Sequence, residues 1–187
     1  MALYDAFVSY SHGKDKPIAG ALQSAVQKLG KPWYKRRALR VFRDDTSLSA
    51  TPQLWPSIEQ ALGNSRYFIL LASPEAAASK WVNKEVGFWI EHNSIETLLI
   101  GVTQGELAWN DDTSDFVRGE AMPLPPALAG RFESEPKWVD LRPAPGARAP
   151  TRAMQNSWKR ARTLRRPFAA SLRRICSRRR CASSAAR

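Results

Sequence analysis

In the stretch SKWVNKEVGFWIEH, residues 79–92, one carboxylate, Glu85, falls among aromatic side chains. At about 3.6 residues per turn, neighbours at i, i+3 and i+4 share a face, so a helix here sets Trp81, Glu85, Phe88, Trp89 and His92 on one side. Ser79 just ahead has a hydroxyl suited to accept from the free N–H groups of the first turn. A helix normally keeps an ionised Glu off its buried stripe, because burial without partners is costly. Two readings stand at this point. Glu85 is an edge residue that reaches solvent or pairs with Lys80 or Lys84. Alternatively it is a carboxylate held in apolar surroundings for a function.

Other residue types that carry chemistry do not assemble. The turn between the first strand and the first helix reads SHGKDKP, which lacks the glycine pattern of a dinucleotide fold, and no GxxxxGK[ST] occurs. Asp44 and Asp45 suggest a phospho-receiver, but the ends of strands one and three carry Tyr10-Ser11 and Ala72-Ser73 rather than acids. Asp111, Asp112 and Asp115 lack the spacing and final Glu of a calcium loop. His12 and His92 are the only histidines, and no GxSxG elbow accompanies them. Cys176 and Cys181 lie in a basic tail with no His beside them, so no metal site is expected.

The elements that must carry these residues alternate. Asp5–Ser11 has strand character, and Ile18–Leu29 places Ile18, Leu22, Ala25, Val26 and Leu29 at helical spacing before Gly30. Leu39–Arg43 returns to strand, and 44–52 is a loop of turn formers with Leu48 at its tip. Gln53–Leu62 is helical. Tyr67–Ala72 and Leu98–Val102 are apolar throughout, as strands buried on both faces are. Trp138–Leu141 is expected to add a fifth strand. The order predicts a three-layer α/β fold with right-handed crossovers. Residues 103–136 show no sustained period and read as an insertion or lid, with Trp109, Phe116, Leu124, Leu128 and Phe132 available to pin it.

The net charge of +12 over 187 residues is unevenly spread. Residues 1–150 hold 17 Lys/Arg and 17 Asp/Glu, while 151–187 hold 12 Lys/Arg and no acid. The division expected is a body over 1–142, then a linker and a basic, helical or disordered tail over 143–187. Trp158, Phe168, Leu172 and Ile175 recur near helical spacing in that tail, which would suit an anionic membrane or nucleic acid; a basic extension with no dedicated partner is the alternative. The opening MALYDAFVSYS has no basic signal region and no apolar run approaches about 18 residues, so a cytoplasmic protein is expected.

Three segments together resemble the Toll/interleukin-1 receptor (TIR) domains in their bacterial form. YDAFVSYS (4–11) is similar to the first signature box of that family. VFRDDTSLSATPQLWPSIEQAL (41–62) resembles its second strand, BB loop and following helix. YFILLASPEAAASKWVNKE (67–85) resembles the third strand and the W-x-x-x-E motif. The resemblance implies a flavodoxin-like fold with a five-stranded parallel sheet. It also implies an NAD+ glycohydrolase, an NAD+ nucleosidase that cuts the nicotinamide–ribose bond and takes NAD+ as substrate with no cofactor. Glu85 would then be catalytic, with Ser9, Tyr10, Ser11, Arg43, Leu48 and Trp81 lining the same cleft. Trp81 is as well read as core packing, Tyr10 as packing and Leu48 as a self-association contact. Arg43 would meet a phosphate or pair with Asp44 or Asp45. Other members of the family assemble without catalysis, so a noncatalytic TIR interaction module in a homo-oligomer is the alternative.

One carboxylate is enough for this chemistry. A glycosidase acting on a sugar ether uses a second acid to protonate the departing oxygen. Nicotinamide leaves as a neutral base, so only the growing charge on the ribose needs support.

Overall fold

The computed structural model describes residues 2–29, 39–43, 54–119 and 121–142. The apolar runs form the strands expected of them. β1 (Ala6–Ser9), β2 (Val41–Arg43), β3 (Phe68–Ala72) and β4 (Leu98–Val102) are joined by a late strand, β7 (Trp138–Asp140). They make one sheet in the order β2-β1-β3-β4-β7, with each pairing parallel. This is the doubly wound order whose direction of growth reverses beside β1, and a crevice opens at the carboxyl ends of the strands at such a reversal.

The period of two along each strand divides the core. Phe7, Phe42, Phe68, Leu70 and Ile100 face one way, against Ile58, Ala61 and Leu62 of α2 (Leu54–Gly63) and Val82, Val86 and Trp89 of α4 (Lys80–His92). Ala6, Val8, Val41, Ile69 and Leu71 face the other way, against Ala19, Leu22 and Val26 of α1 (Lys16–Leu29). Phe7 stacks on Phe42 and Phe68, with ring centroids 5.3 and 5.8 Å apart, and Phe68 meets Trp89 at 5.4 Å. Burying each such ring is worth about 1.5–3 kcal/mol, which fixes α4 across the middle of the sheet.

β3 runs into the short helix α3 (Pro74–Ala78), where Ser73 caps the amide of Ala76 and Pro74 fills the first turn at no cost in hydrogen bonds. Ser79 then ends α3 and caps α4 through the Val82 amide, the cap expected from the sequence. Asn83 locks the corner by donating to the carbonyls of Ala77 and Ser79 at 2.7 and 2.9 Å.

The connection from β4 to β7 lacks a helical period in the sequence, and its apolar residues pin it to the body as expected. Among the described residues it carries no α-helix; it forms a small antiparallel hairpin of β5 (Trp109–Asn110) and β6 (Asp115–Phe116), then a 3-10 turn over Pro126–Leu128. It is also no loose lid. Phe116, Leu124, Leu128 and Phe132 are buried in the α4 side of the core. Among the described residues no helix is long and apolar enough to cross a membrane. The BB-loop stretch with Leu48 and the tail from 143 onward lie outside the described residues.

Candidate active site

The sheet places Ser9 last in β1, on the same side as Phe7 and therefore facing α4. There its hydroxyl donates to Oε2 of Glu85 at 2.5 Å, at the short end of the range for a hydroxyl on a carboxylate. Glu85 is only 3% exposed and Ser9 1%. The carboxylate thus lies beneath the surface at the carboxyl edge of the sheet, beside the reversal in strand order. It does not extend into solvent as an edge residue would.

The helical stripe read from the sequence is rotated in the structure. Val82, Glu85, Val86 and Trp89 form the buried face of α4, while Trp81 is 40% exposed and His92 lies at the surface. The core-packing reading of Trp81 is therefore corrected. Its ring lies 6.3 Å from that of Trp55 on α2, and Lys84 places its Nζ 3.7 Å from the Trp55 centroid. Lys80 lies over the Trp81 ring at 5.7 Å. Trp55 also donates its indole N–H to Glu59. Two indoles and two ammonium groups therefore come together where α2 meets the first turns of α4. α4 turns this way because three large rings compete for one face, and Trp89 fills the space against Phe68.

Tyr10 and Arg43 make contacts on the α1 side of the sheet. Tyr10 is one residue beyond Ser9, so the pleat turns it to the α1 side, where it is buried among Val8, Ala19 and Leu22. Arg43 also packs on that side: its Nη1 donates to the Lys16 carbonyl at 3.4 Å and its guanidinium sits 6.0 Å from the Tyr10 centroid. Both residues thus meet the start of α1, and the packing reading of Tyr10 agrees with its burial. Ser11, half-buried, accepts the amide of Asp15 through its carbonyl at 3.2 Å.

A second buried carboxylate escaped the sequence reading. Asp15, 0% exposed, accepts hydrogen bonds from the hydroxyls of Ser73 and Thr103, each at 2.7 Å. An Asp just ahead of Lys16-Pro17 reads as a local helix cap, and nothing local reveals hydroxyl partners so far along the chain. Nearby, Lys14 pairs with Glu75 on α3; that hydrogen bond holds the Glu75 carboxyl below its usual range and raises Lys14. Among the described residues no cluster of His, Cys, Asp and Glu could hold a metal ion.

A buried carboxylate on a rigid helix, held by a strand-end hydroxyl where that helix meets the sheet, suits the support of a positive charge that develops on a ligand. The chain belongs to the TIR domain family, whose pattern matches residues 6–144. It is 49% identical over 139 residues to the NAD(+) hydrolase ApTIR of Actinoplanes sp., an alignment covering 74% of this chain and 19% of that protein. The chain therefore spans about a fifth of that relative's length. Among solved structures it is similar to the TIR domains of the activated Roq1 resistosome, which directly recognises the pathogen effector XopQ. There the identity is 23%, the TM-score 0.46 and the coverage 55% of this chain and 59% of that one. It is also similar to the TIR domain of the Toll-related receptor TRR-2 from Hydra magnipapillata, with 13% identity, a TM-score of 0.49 and coverage of 74% and 84%.

Proposed function

We propose that this TIR domain hydrolyses NAD+, breaking the bond between nicotinamide and ribose. The observation that carries the reading is the Ser9–Glu85 pair, buried at the carboxyl edge of the sheet beside its reversal. The 49% identity to a relative named as an NAD(+) hydrolase supports it. In the step proposed, the electron pair of the glycosidic bond goes to the pyridine nitrogen, and nicotinamide departs neutral. Positive charge grows on the ribose, where the Glu85 carboxylate stabilises it more strongly than in water because burial leaves it weakly screened. A water oxygen then bonds to the anomeric carbon and its proton goes to solvent; attack by a group of the adenosine half instead would close a cyclic ADP-ribose. Ser9 holds Glu85 in one rotamer, and Trp81, with Trp55 and Lys84 beside it, offers a stacking surface and positive charge to the dinucleotide.

Self-association with other TIR domains, through the loop that carries Leu48, is part of the same proposal. It predicts activity per molecule that rises with protein concentration and falls in Leu48→Asp. The basic tail is proposed to hold an anionic membrane or nucleic acid, a reading supported only by its charge. Nicotinamide release from NAD+ by the purified chain tests the central claim. Glu85→Gln should lower turnover by at least about a hundredfold with an unchanged circular dichroism spectrum. Retained turnover would remove Glu85 from the mechanism. No release from wild type, at concentrations where it self-associates, would favour a noncatalytic assembly module.

A further inference from the structure

We infer that Asp15 is a positioning residue that sets the Ser9–Glu85 pair from both sides; the inference rests on the hydrolase reading for its kinetic consequence. Its carboxylate reaches across the carboxyl ends of two strands. Oδ2 accepts from Ser73, the residue after β3, and Oδ1 from Thr103, the residue after β4. Both bonds are 2.7 Å long, and with Asp15 wholly buried they are weakly screened.

Two routes run from this clasp to Glu85. Along the first, the Asp15 amide donates to the Ser11 carbonyl, closing the connection that begins at Ser9, while the Asp15 carbonyl accepts the Ala19 amide in the first turn of α1. The start of that connection is tied to Glu85 through Ser9, and its end is tied to β3 and β4 through Asp15. Along the second, the Ser73 hydroxyl that donates to Asp15 also caps α3, whose last turn is fastened to α4 by Asn83. Glu85 is on α4. Loss of the clasp therefore frees the donor and the acceptor of one hydrogen bond to shift separately, and misplacement of reacting groups by about 1 Å can cost about a hundredfold in rate.

The sheet itself should hold without Asp15. Without it, Ser73 still caps the Ala76 amide, and Thr103 still has the Ala72 carbonyl as acceptor at 3.1 Å. The damage should stay local, which makes the inference testable in the full chain. Steady-state nicotinamide release from NAD+ and amide hydrogen exchange are measured on wild type, Asp15→Ala and Asp15→Asn. In Asp15→Ala, kcat should fall about ten- to a hundredfold with KM within about twofold, the split expected when reacting groups are misplaced rather than substrate lost. Exchange should quicken at residues 10–15 and in the first turn of α4, while β3 and β4 stay protected. Asp15→Asn should recover activity to within about threefold of wild type, since its amide oxygen still accepts one hydroxyl and its NH2 donates to the other.

Exchange that quickens equally throughout β3 and β4, with kcat following the folded fraction, would overturn the inference and leave Asp15 a stability residue. So would an alanine variant unchanged in both readouts. Should Asp15→Ala fail to fold, Thr103→Val removes one of the two bonds and is read in the same way. If wild type releases no nicotinamide, the hydrolase reading fails by itself; unchanged exchange at 10–15 in Asp15→Ala would then overturn the clasp as well, and local quickening would uphold it.

Discussion

The chain leaving β1 and the chain leaving β4 both turn over the carboxyl edge of the sheet, yet they are held by opposite means. The first is short and polar, and directed bonds fix it: Ser9 to Glu85 at one end, Asp15 to Ser73 and Thr103 at the other. The second is long and is held by apolar burial, with Phe116 packed edge-on against Trp109, Phe132 and Trp138 at 5.2 to 5.9 Å. Hydrogen bonds to charged groups define position sharply, whereas apolar contacts give stability with little direction. The proposed chemistry sits on the precisely positioned side. The other side closes the sheet.

Changes to the two connections should therefore separate activity from stability. The largest stability effect is expected of Phe116→Ala, which deletes a ring 3% exposed; it should cost about 3–5 kcal/mol in chemical denaturation while activity per folded molecule is kept. An equal loss of specific activity would erase the contrast. Gly105→Ala should cost about 1–3 kcal/mol: Gly105 has φ +81°, and a Cβ there would come within 2.6 Å of the Ala121 carbonyl. On the other side, Ser9→Ala should lower nicotinamide release about tenfold, the equivalent of one hydrogen bond to a charged group, with thermal unfolding shifted by only a few degrees.

The smallest effect concerns Asp140, whose pKa is depressed by its hydrogen bond to Arg142 at the end of β7. A depressed carboxylate contributes stability above its unfolded pKa and loses it as pH falls through the folded value. Arg142→Ala should thus remove less than about 1 kcal/mol at neutral pH and nothing at strongly acid pH, because the pair is largely exposed. A loss of equal size at both pH values would show that Arg142 acts through its contact with the Gly105 carbonyl instead.

Much of the fold could be read along the chain because it follows local rules. β4 occupies Leu98–Val102 as expected, since an unbroken apolar run suits a strand covered on both faces. α4 starts after Ser79 as expected, since an N-cap is a contact between near neighbours. The hairpin at 109–116 was not foreseen, because its two-residue strands are too short to show a period. The site was only half legible. Glu85 stood out by its spacing and Ser9 was named by resemblance, and the structure bonds them. Tyr10 and Arg43 were named on the same ground, and the pleat sends them to the α1 side.

By itself the sequence determined the alternation of strands and helices, the neutral body and basic tail, and a carboxylate, Glu85, set among the aromatic residues of one helix. Each of these depends on residues within a few positions of one another. Only the tertiary structure decided which face of α4 is buried, because Phe68 and Trp89 come together only when the helix lies on the sheet. It alone disclosed Asp15 as well. The Asp15 partners lie 58 and 88 residues along the chain, and only the parallel strand order sets three strand ends side by side within reach of one carboxylate.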